Sequence, residues 1–511
     1  MKKIALGQDT LPTLLRGVRF LEPLVGMLYG PAKQIVATSK GNKTKVATYS
    51  TGLLDDFSIP DEMGDVGVQL IRNVVNEVRN TAGSGAGIAS VLAVAMIREG
   101  NKLITAGVPN IDVVRSLDKI SKNFTKFLID RAAEVKVKTE GQERVLYKGV
   151  ATTVMGEDTL SDMLADMFVH VGEYGNVELR RGEAFKTKVE YTDGFSFKTS
   201  MYSYKFMPTS EKALDLENPY VLVTGRKLDS TQDMVGLLIH CNKNSRPLVI
   251  ISEGIGKEVM ELLLHNINRG ALKAVAIRPP SYSTERFEAL KDLALITGAT
   301  LVPTEDISVK LTPECLGTVP RVVVTADKCS ITYEATRMPA THLEHVQTLI
   351  DMEHRQIQKK QLKERLGNLK GKAAIVHVGG DSEIVRDANY FKLECAAHSI
   401  RGAMNEGMLP GGCQIFHDYA VQEKDPTICR TLVYAFRTPF LQVVMRMLNE
   451  RPLHELVAKD SLEGYSYKDN CIAPMTVSGV VDSVKVLRIA AQCALSVART
   501  VLSAGAIVRE C

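Results

Sequence analysis

The loop Gly83-Ser84-Gly85-Ala86-Gly87 is the first place in this chain where residue types and spacing point to chemistry, because it stands directly before an apolar run beginning at Ile88. Glycines at a helix start let backbone N–H groups approach an anion, phosphate above all. The same residues also make a plain tight turn whose small side chains serve packing, and spacing alone leaves both readings open. Asp482, two residues before Val484, has the position of a helix N-cap. Cys395 reads as a small buried hydrophobe, since nothing in the sequence sets a base beside it. The nine cysteines (Cys241, Cys315, Cys329, Cys395, Cys413, Cys429, Cys471, Cys493 and Cys511) form no CxxC pair and are odd in number. They fit neither a disulfide framework nor a zinc site, and a reducing cytoplasm is the expected location.

A second kind of chemistry is non-covalent. In 256–269, residues Val259, Met260, Leu262, Leu263, Leu264 and Ile267, placed about 100° apart, cover an arc of roughly 200°, twice the ~100° of a core-facing stripe. Part of that surface is expected to be exposed. The segment 230–242 has the same excess in Met234, Val235, Leu237, Leu238 and Ile239. Wide apolar surface suits capture of unfolded chains, because hydrophobic contact is non-directional.

These residues need elements to hold them. Spacings of three and four predict helices over 11–28, 61–80, 88–106 and 111–135. From 220 to 324, short β-rich runs (YVLVTG, PLVIISEG, AVAIRPP, RVVVTAD) alternate with helical stretches at 230–242, 256–269 and 284–297, the pattern of an α/β domain. The charged segment 341–370 reads as a solvated helical hairpin or a long exposed helix. Helices return at 390–405 and 484–509. The order helical, α/β, helical suggests one discontinuous domain with an insertion. Composition agrees with a soluble globular chain: 45% of residues are hydrophobic, 24% charged, and 38 Gly with 19 Pro are too few for a collagenous or disordered one. A net charge of +4 without a dense basic run argues against nucleic acid. No secretory signal and no membrane-length apolar stretch are evident, so no membrane is expected.

Several strings, in order, resemble the group I chaperonins, the 60 kDa Hsp60 family: LLRGVRFLEPLV followed by Gly30-Pro31, TAGSGAGIASVLAVAMIREG, VGEYGNVELRRG, YTDGFSF, RPLVIISEGIGKEVMELLLHNINRG, FEALKDLALITGAT, LKERLGNLKGKAAIVHVGG, HSIRGAMNEGMLPGGC and SGVVDSVKV. The likeness runs nearly end to end and identifies a divergent paralogue. It implies an α+β multidomain fold: equatorial 1–134, mostly helical; a small intermediate domain, 135–191; α/β apical 192–371; intermediate again over 372–406; and equatorial again over 407–511.

The resemblance also implies ATP and Mg²⁺ as cofactors, but the family's three aspartates fall on Thr51, Ser84 and Cys395. With those carboxylates replaced, no catalytic residue is assigned and hydrolysis is expected to be lost, since phosphoryl transfer depends on metal and water positioning. Asp55 or Asp56 for Thr51, and Glu394 for Cys395, are the alternatives if the register slips. Nucleotide-binding positions carried over are Gly30, Pro31, Gly85, Gly411, Gly412 and Asp482, the last implied near a ribose as an alternative to its N-cap role. Ala32 and then Lys33 follow the Gly-Pro turn, and Cys413 replaces a third glycine.

Polypeptide-binding positions implied are Met201, Phe206, Val235, Leu238, Met260, Leu263 and Leu264. Lys205 and His265 depart from the family's apolar residues, which weakens the expected fit to a co-chaperonin lid, and the chain lacks a Gly-Gly-Met tail. Three readings follow. The first is a homo-oligomeric ring that holds non-native polypeptides without effective hydrolysis. The others are an active ATP-dependent foldase with displaced carboxylates and a regulatory subunit of a standard chaperonin.

Overall fold

The structure, a computed structural model, describes residues 2–30, 34–40, 43–47, 49–55, 57–138, 141–156, 158–172, 175–182, 184–207, 213–280, 286–302, 310–326, 328–333, 338–353, 355–445, 457–458, 462–466 and 471–510. Pro31, Ala32, Lys33 and Asp56 fall outside them. Two compact units result, and the first is discontinuous: Met1–Val169 with Asp381–Cys511, against His170–Gly380 for the second.

The first unit is built on long helices, Thr10–Met27, Asp65–Ala82, Ala86–Thr105, Asn110–Lys138 and Val484–Ser503. Asp65–Ala82 illustrates why they form: Val68, Ile71, Val74, Val75, Val78 and Ala82 recur every three or four residues and are all buried, so helix formation gathers one apolar stripe for the core. Val484–Ser503 packs against Ala86–Thr105, Asn110–Lys138 and Asp65–Ala82. By length and composition alone this helix is apolar enough to cross a membrane, which corrects the expectation that no such stretch exists. Its apolar residues are spent on the core, with Leu487, Ala490, Ala494, Leu495 and Val501 all buried.

The chain end differs from expectation too. Helix was predicted to 509 but stops at Ser503, and Ala506–Glu510 is a strand, antiparallel to Lys2–Leu6 with Ile4 opposite Val508. Buried Ile507 beside exposed Val508 gives the alternation of a strand. Gly505 carbonyl oxygen accepts from Gly7 N–H at 3.0 Å and from Thr10 Oγ1 at 3.2 Å, fastening the two ends.

Among the described residues the second unit has a four-stranded and a six-stranded sheet, with a short parallel pair of Lys227–Leu228 and Gly254–Ile255 besides. Ala274–Ile277, Leu248–Ile251 and Tyr220–Val223 run parallel, in that order, with Gly317–Thr318 antiparallel at the edge. The other sheet has six strands in the order Asn176–Arg181, Lys372–Val378, Lys188–Lys198, Lys328–Thr332, Arg321–Thr325, Ala213–Glu217. Fully buried runs such as Leu248–Ile251 mark strands covered on both faces, by helices Thr231–Lys243, Lys257–Asn268 and Arg286–Thr297 among others. The charged segment forms a hairpin, Ala340–Met352 and Gln356–Leu369. It is not simply solvated: Val346, Ile350, Leu362, Leu366 and Leu369 join the core. Arg365 donates to both oxygens of buried Asp292, Nε to Oδ2 at 2.7 Å and Nη2 to Oδ1 at 2.9 Å, and His342 Nε2 meets Oδ1 at 2.7 Å.

Candidate functional site

In the first unit, Gly83 ends helix Asp65–Ala82 at φ +74°, and its N–H donates to Arg79 carbonyl oxygen at 2.9 Å. A Cβ there would stand 2.2 Å from that of His398. Gly85, at φ +93°, opens helix Ala86–Thr105, and a Cβ would meet Val486 Cγ1 at 2.7 Å. Left-handed backbone at both positions joins two long helices through three residues. The first turn of the second helix thereby lines a cleft of about 350 Å³.

Thr51, Ser84 and Cys395, the three positions singled out in sequence, all line this cleft. Thr51 sits buried in the short helix Ser50–Leu54. Cys395 is buried in helix Glu383–Glu406, where four-residue spacing also turns Phe391 and Ser399 to the cleft. Ser84 and Ser399 share a hydroxyl hydrogen bond of 2.5 Å. Neither Asp55 nor Glu394 is among the lining residues. Gly30, Gly85 and Gly412 do line it. Gly411 does not, and its N–H is committed to Val480 carbonyl oxygen at 3.0 Å, which removes it as a cradle donor.

Asp482 lies in the strand Val481–Ser483, paired with Met408–Pro410. Its Oδ2 accepts the Cys413 N–H at 2.8 Å, so the N-cap reading is corrected: Ser483 is the residue before the helix, and it makes no side-chain cap bond. Burial pushes the Asp482 carboxyl up to about 6, against the pull of the Cys413 bonds. Cys413 is buried at φ +60°, the conformation that suits a glycine. Tyr29 Oη lies 3.2 Å from its Sγ. Burial and the Asp482 charge hold the thiol well above its ordinary range, which disfavours the thiolate that a nucleophile needs.

Tyr29, Ser50, Ser483 and Arg79 are among the lining residues that sequence reasoning did not find. Tyr29 packs over the loop, its Cδ2 3.0 Å from where a Gly87 Cβ would be. Ser50 Oγ and Ser483 Oγ are buried without a hydrogen-bond partner. Arg79 stands with its guanidinium 5.6 Å from the centre of the Phe391 ring, which in turn packs on Tyr49 at 5.0 Å. Only the adjacency of Tyr29 to Gly30, and of Arg79 to the glycine loop, hinted at them.

The donor set tests what the cleft suits. Backbone N–H groups at a helix start and two unpartnered buried hydroxyls fit the phosphates and hydroxyls of a nucleotide. Mg²⁺ does not fit. Among the described residues Asp482 is the one carboxylate of the lining and already accepts a backbone N–H, and no acidic, His or Cys cluster is placed to hold a metal.

In the second unit, helix Lys257–Asn268 packs against Thr231–Lys243 and against the turn Tyr204–Phe206. Of the seven residues expected to bind polypeptide, Phe206, Leu238 and Leu263 belong to the core, a correction that follows from the two helices using Leu238 and Leu263, and the turn Tyr204–Phe206 using Phe206, to cover the sheets. Val235 is 45% exposed, and Met201, Met260 and Leu264 are half-buried. Ile239 at 62% and Tyr204 at 80% extend the accessible apolar surface beyond the expected set. Lys205 and His265 are exposed beside them.

The model of the TCP-1/cpn60 chaperonin family matches residues 29–511. Among solved structures, the chain is similar to the chaperonin gp146 from the bacteriophage EL 2 (Pseudomonas aeruginosa), crystallised in the presence of ATP-BeFx. One crystal form gives a TM-score of 0.76 at 15% identity, covering 99% of this chain and 98% of that one. The other gives 0.69 at 15% identity, with 99% of each chain covered. With a fold shared from end to end and a family match over nearly its whole length, this chain belongs to the TCP-1/cpn60 chaperonin family.

Proposed function

We propose that the protein assembles into a ring and holds non-native polypeptides on the apolar surface of the second unit, keeping a nucleotide-shaped cleft but not an effective ATPase cycle. The observation that carries this reading is the convergence of Thr51, Ser84 and Cys395 on one cleft whose one carboxylate among the described residues, Asp482, accepts the Cys413 N–H. Phosphoryl transfer is catalysed by positioned charge, and here the groups that would position metal and water are a hydroxyl, a hydroxyl and a thiol. The surface around Val235, Ile239, Met260 and Leu264 supports polypeptide capture, and the family supports ring assembly.

Phosphate release by the purified chain with ATP and Mg²⁺, beside a variant carrying Thr51→Asp, Ser84→Asp and Cys395→Asp, tests it. The natural chain is expected to give negligible turnover and the variant a measurable gain. Substantial turnover by the natural chain would establish the foldase reading with carboxylates in other places.

A further inference from the structure

We propose that the cleft of the first unit binds a nucleotide without a divalent cation, with Arg79 supplying the countercharge. This rests on the nucleotide reading of the cleft and adds how the phosphates are neutralised. Among the described residues the lining carries two formal charges, Arg79 and Asp482, and Asp482 accepts the Cys413 N–H. Carboxylates set to hold a metal would repel a bare phosphate chain. With neutral Thr51, Ser84 and Cys395 in their places, that repulsion is reduced to the one charge of Asp482.

Arg79 lies one helical turn before Gly83, the residue that bonds its carbonyl, so its side chain stands beside the glycine loop. Among the described residues its guanidinium meets the Phe391 ring and no carboxylate. A guanidinium pairs phosphate oxygens in a fork, and an aromatic face beneath it fixes its plane. The Ser50 and Ser483 hydroxyls, both 3% exposed and unpartnered, are independent marks of a missing polar ligand. A cleft of about 350 Å³ is in the range of small-molecule sites. One cation and a helix N-terminus together supply about one and a half positive charges, offset in part by Asp482, and so small an excess matches a diphosphate better than a triphosphate.

Calorimetric titration of the full chain with ADP, in Mg²⁺ and in EDTA, decides it. Affinities equal within about twofold in the two buffers are expected, with ADP bound more tightly than ATP in EDTA, and Arg79→Met is expected to weaken ADP about tenfold or more in both. Arg79 is exposed, so the variant keeps its fold. Ser84→Asp is expected to weaken ADP in EDTA and to introduce a Mg²⁺ requirement. Binding that collapses in EDTA, or an Arg79→Met variant of unchanged affinity, overturns the inference. Absence of ADP binding in both buffers also overturns it, and overturns the nucleotide reading with it, but leaves polypeptide holding, measured by aggregation suppression, untouched.

Discussion

Gly83 concentrates two constraints in one residue: φ of +74° and a neighbour 2.2 Å from any added Cβ. Gly83→Ala is therefore expected to lower unfolding free energy by about 2–4 kcal/mol, from left-handed backbone and overpacking together, as read from the urea midpoint. Asp482 gives a pH signature. Its carboxyl ionises near 3.8 when unfolded and about 6 when folded. Between those values the folded state holds the extra proton, so this group's contribution to stability falls as pH rises and levels off above about 6. Asp482→Asn keeps an acceptor for Cys413 N–H and has no proton to lose. Relative to the parent it is expected to gain nothing near pH 4 and at most about 3 kcal/mol at pH 7.5, measured by urea unfolding at both. Asp418, also raised to about 6 by burial, is common to both proteins and cancels in the difference.

At the scale of elements, the hairpin Ala340–Met352 and Gln356–Leu369 depends on Arg365, which neutralises Asp292 inside the core. Arg365→Met leaves that carboxylate buried beside His342 alone and is expected to cost about 3–5 kcal/mol, while Asp292→Leu with Arg365→Met recovers most of it. Chemical denaturation of the two variants makes the comparison. This segment also shows where sequence reading stopped. Helices such as Asp65–Ala82 were legible because their apolar period is local. Arg365 looked like its solvated neighbours, since its partner is 73 residues away. The terminal strands were missed for the same reason, as Lys2–Leu6 has meaning only beside Ala506–Glu510. In the cleft, Thr51, Ser84 and Cys395 were found through family likeness, whereas Ser50 and Ser483 matter for lacking a partner, which only the fold reveals.

For the molecule as a whole, the second unit exposes Val235 and Ile239 on one helix. Val235→Glu with Ile239→Glu removes apolar area without touching the core. It is expected to weaken suppression of aggregation of a denatured model protein about tenfold or more, with the unfolding midpoint and particle mass unchanged. A ring also predicts a particle many times the mass of one chain in analytical ultracentrifugation, and a monomeric species would end that part of the reading.

The pairing of the chain's two ends also sets an order of events during synthesis. His170–Gly380 is continuous, so the ribosome delivers that unit whole while the rest is still being made. The earlier segment, Met1–Val169, must wait for His170–Gly380 and for everything after it, roughly 20–70 s at ordinary elongation rates. During that interval the stripes of Asp65–Ala82 and Ala86–Thr105 have no Val484–Ser503 to cover them. The nascent protein is thus itself a client-like chain, and a premature stop yields a finished second unit beside a half that has no means of folding.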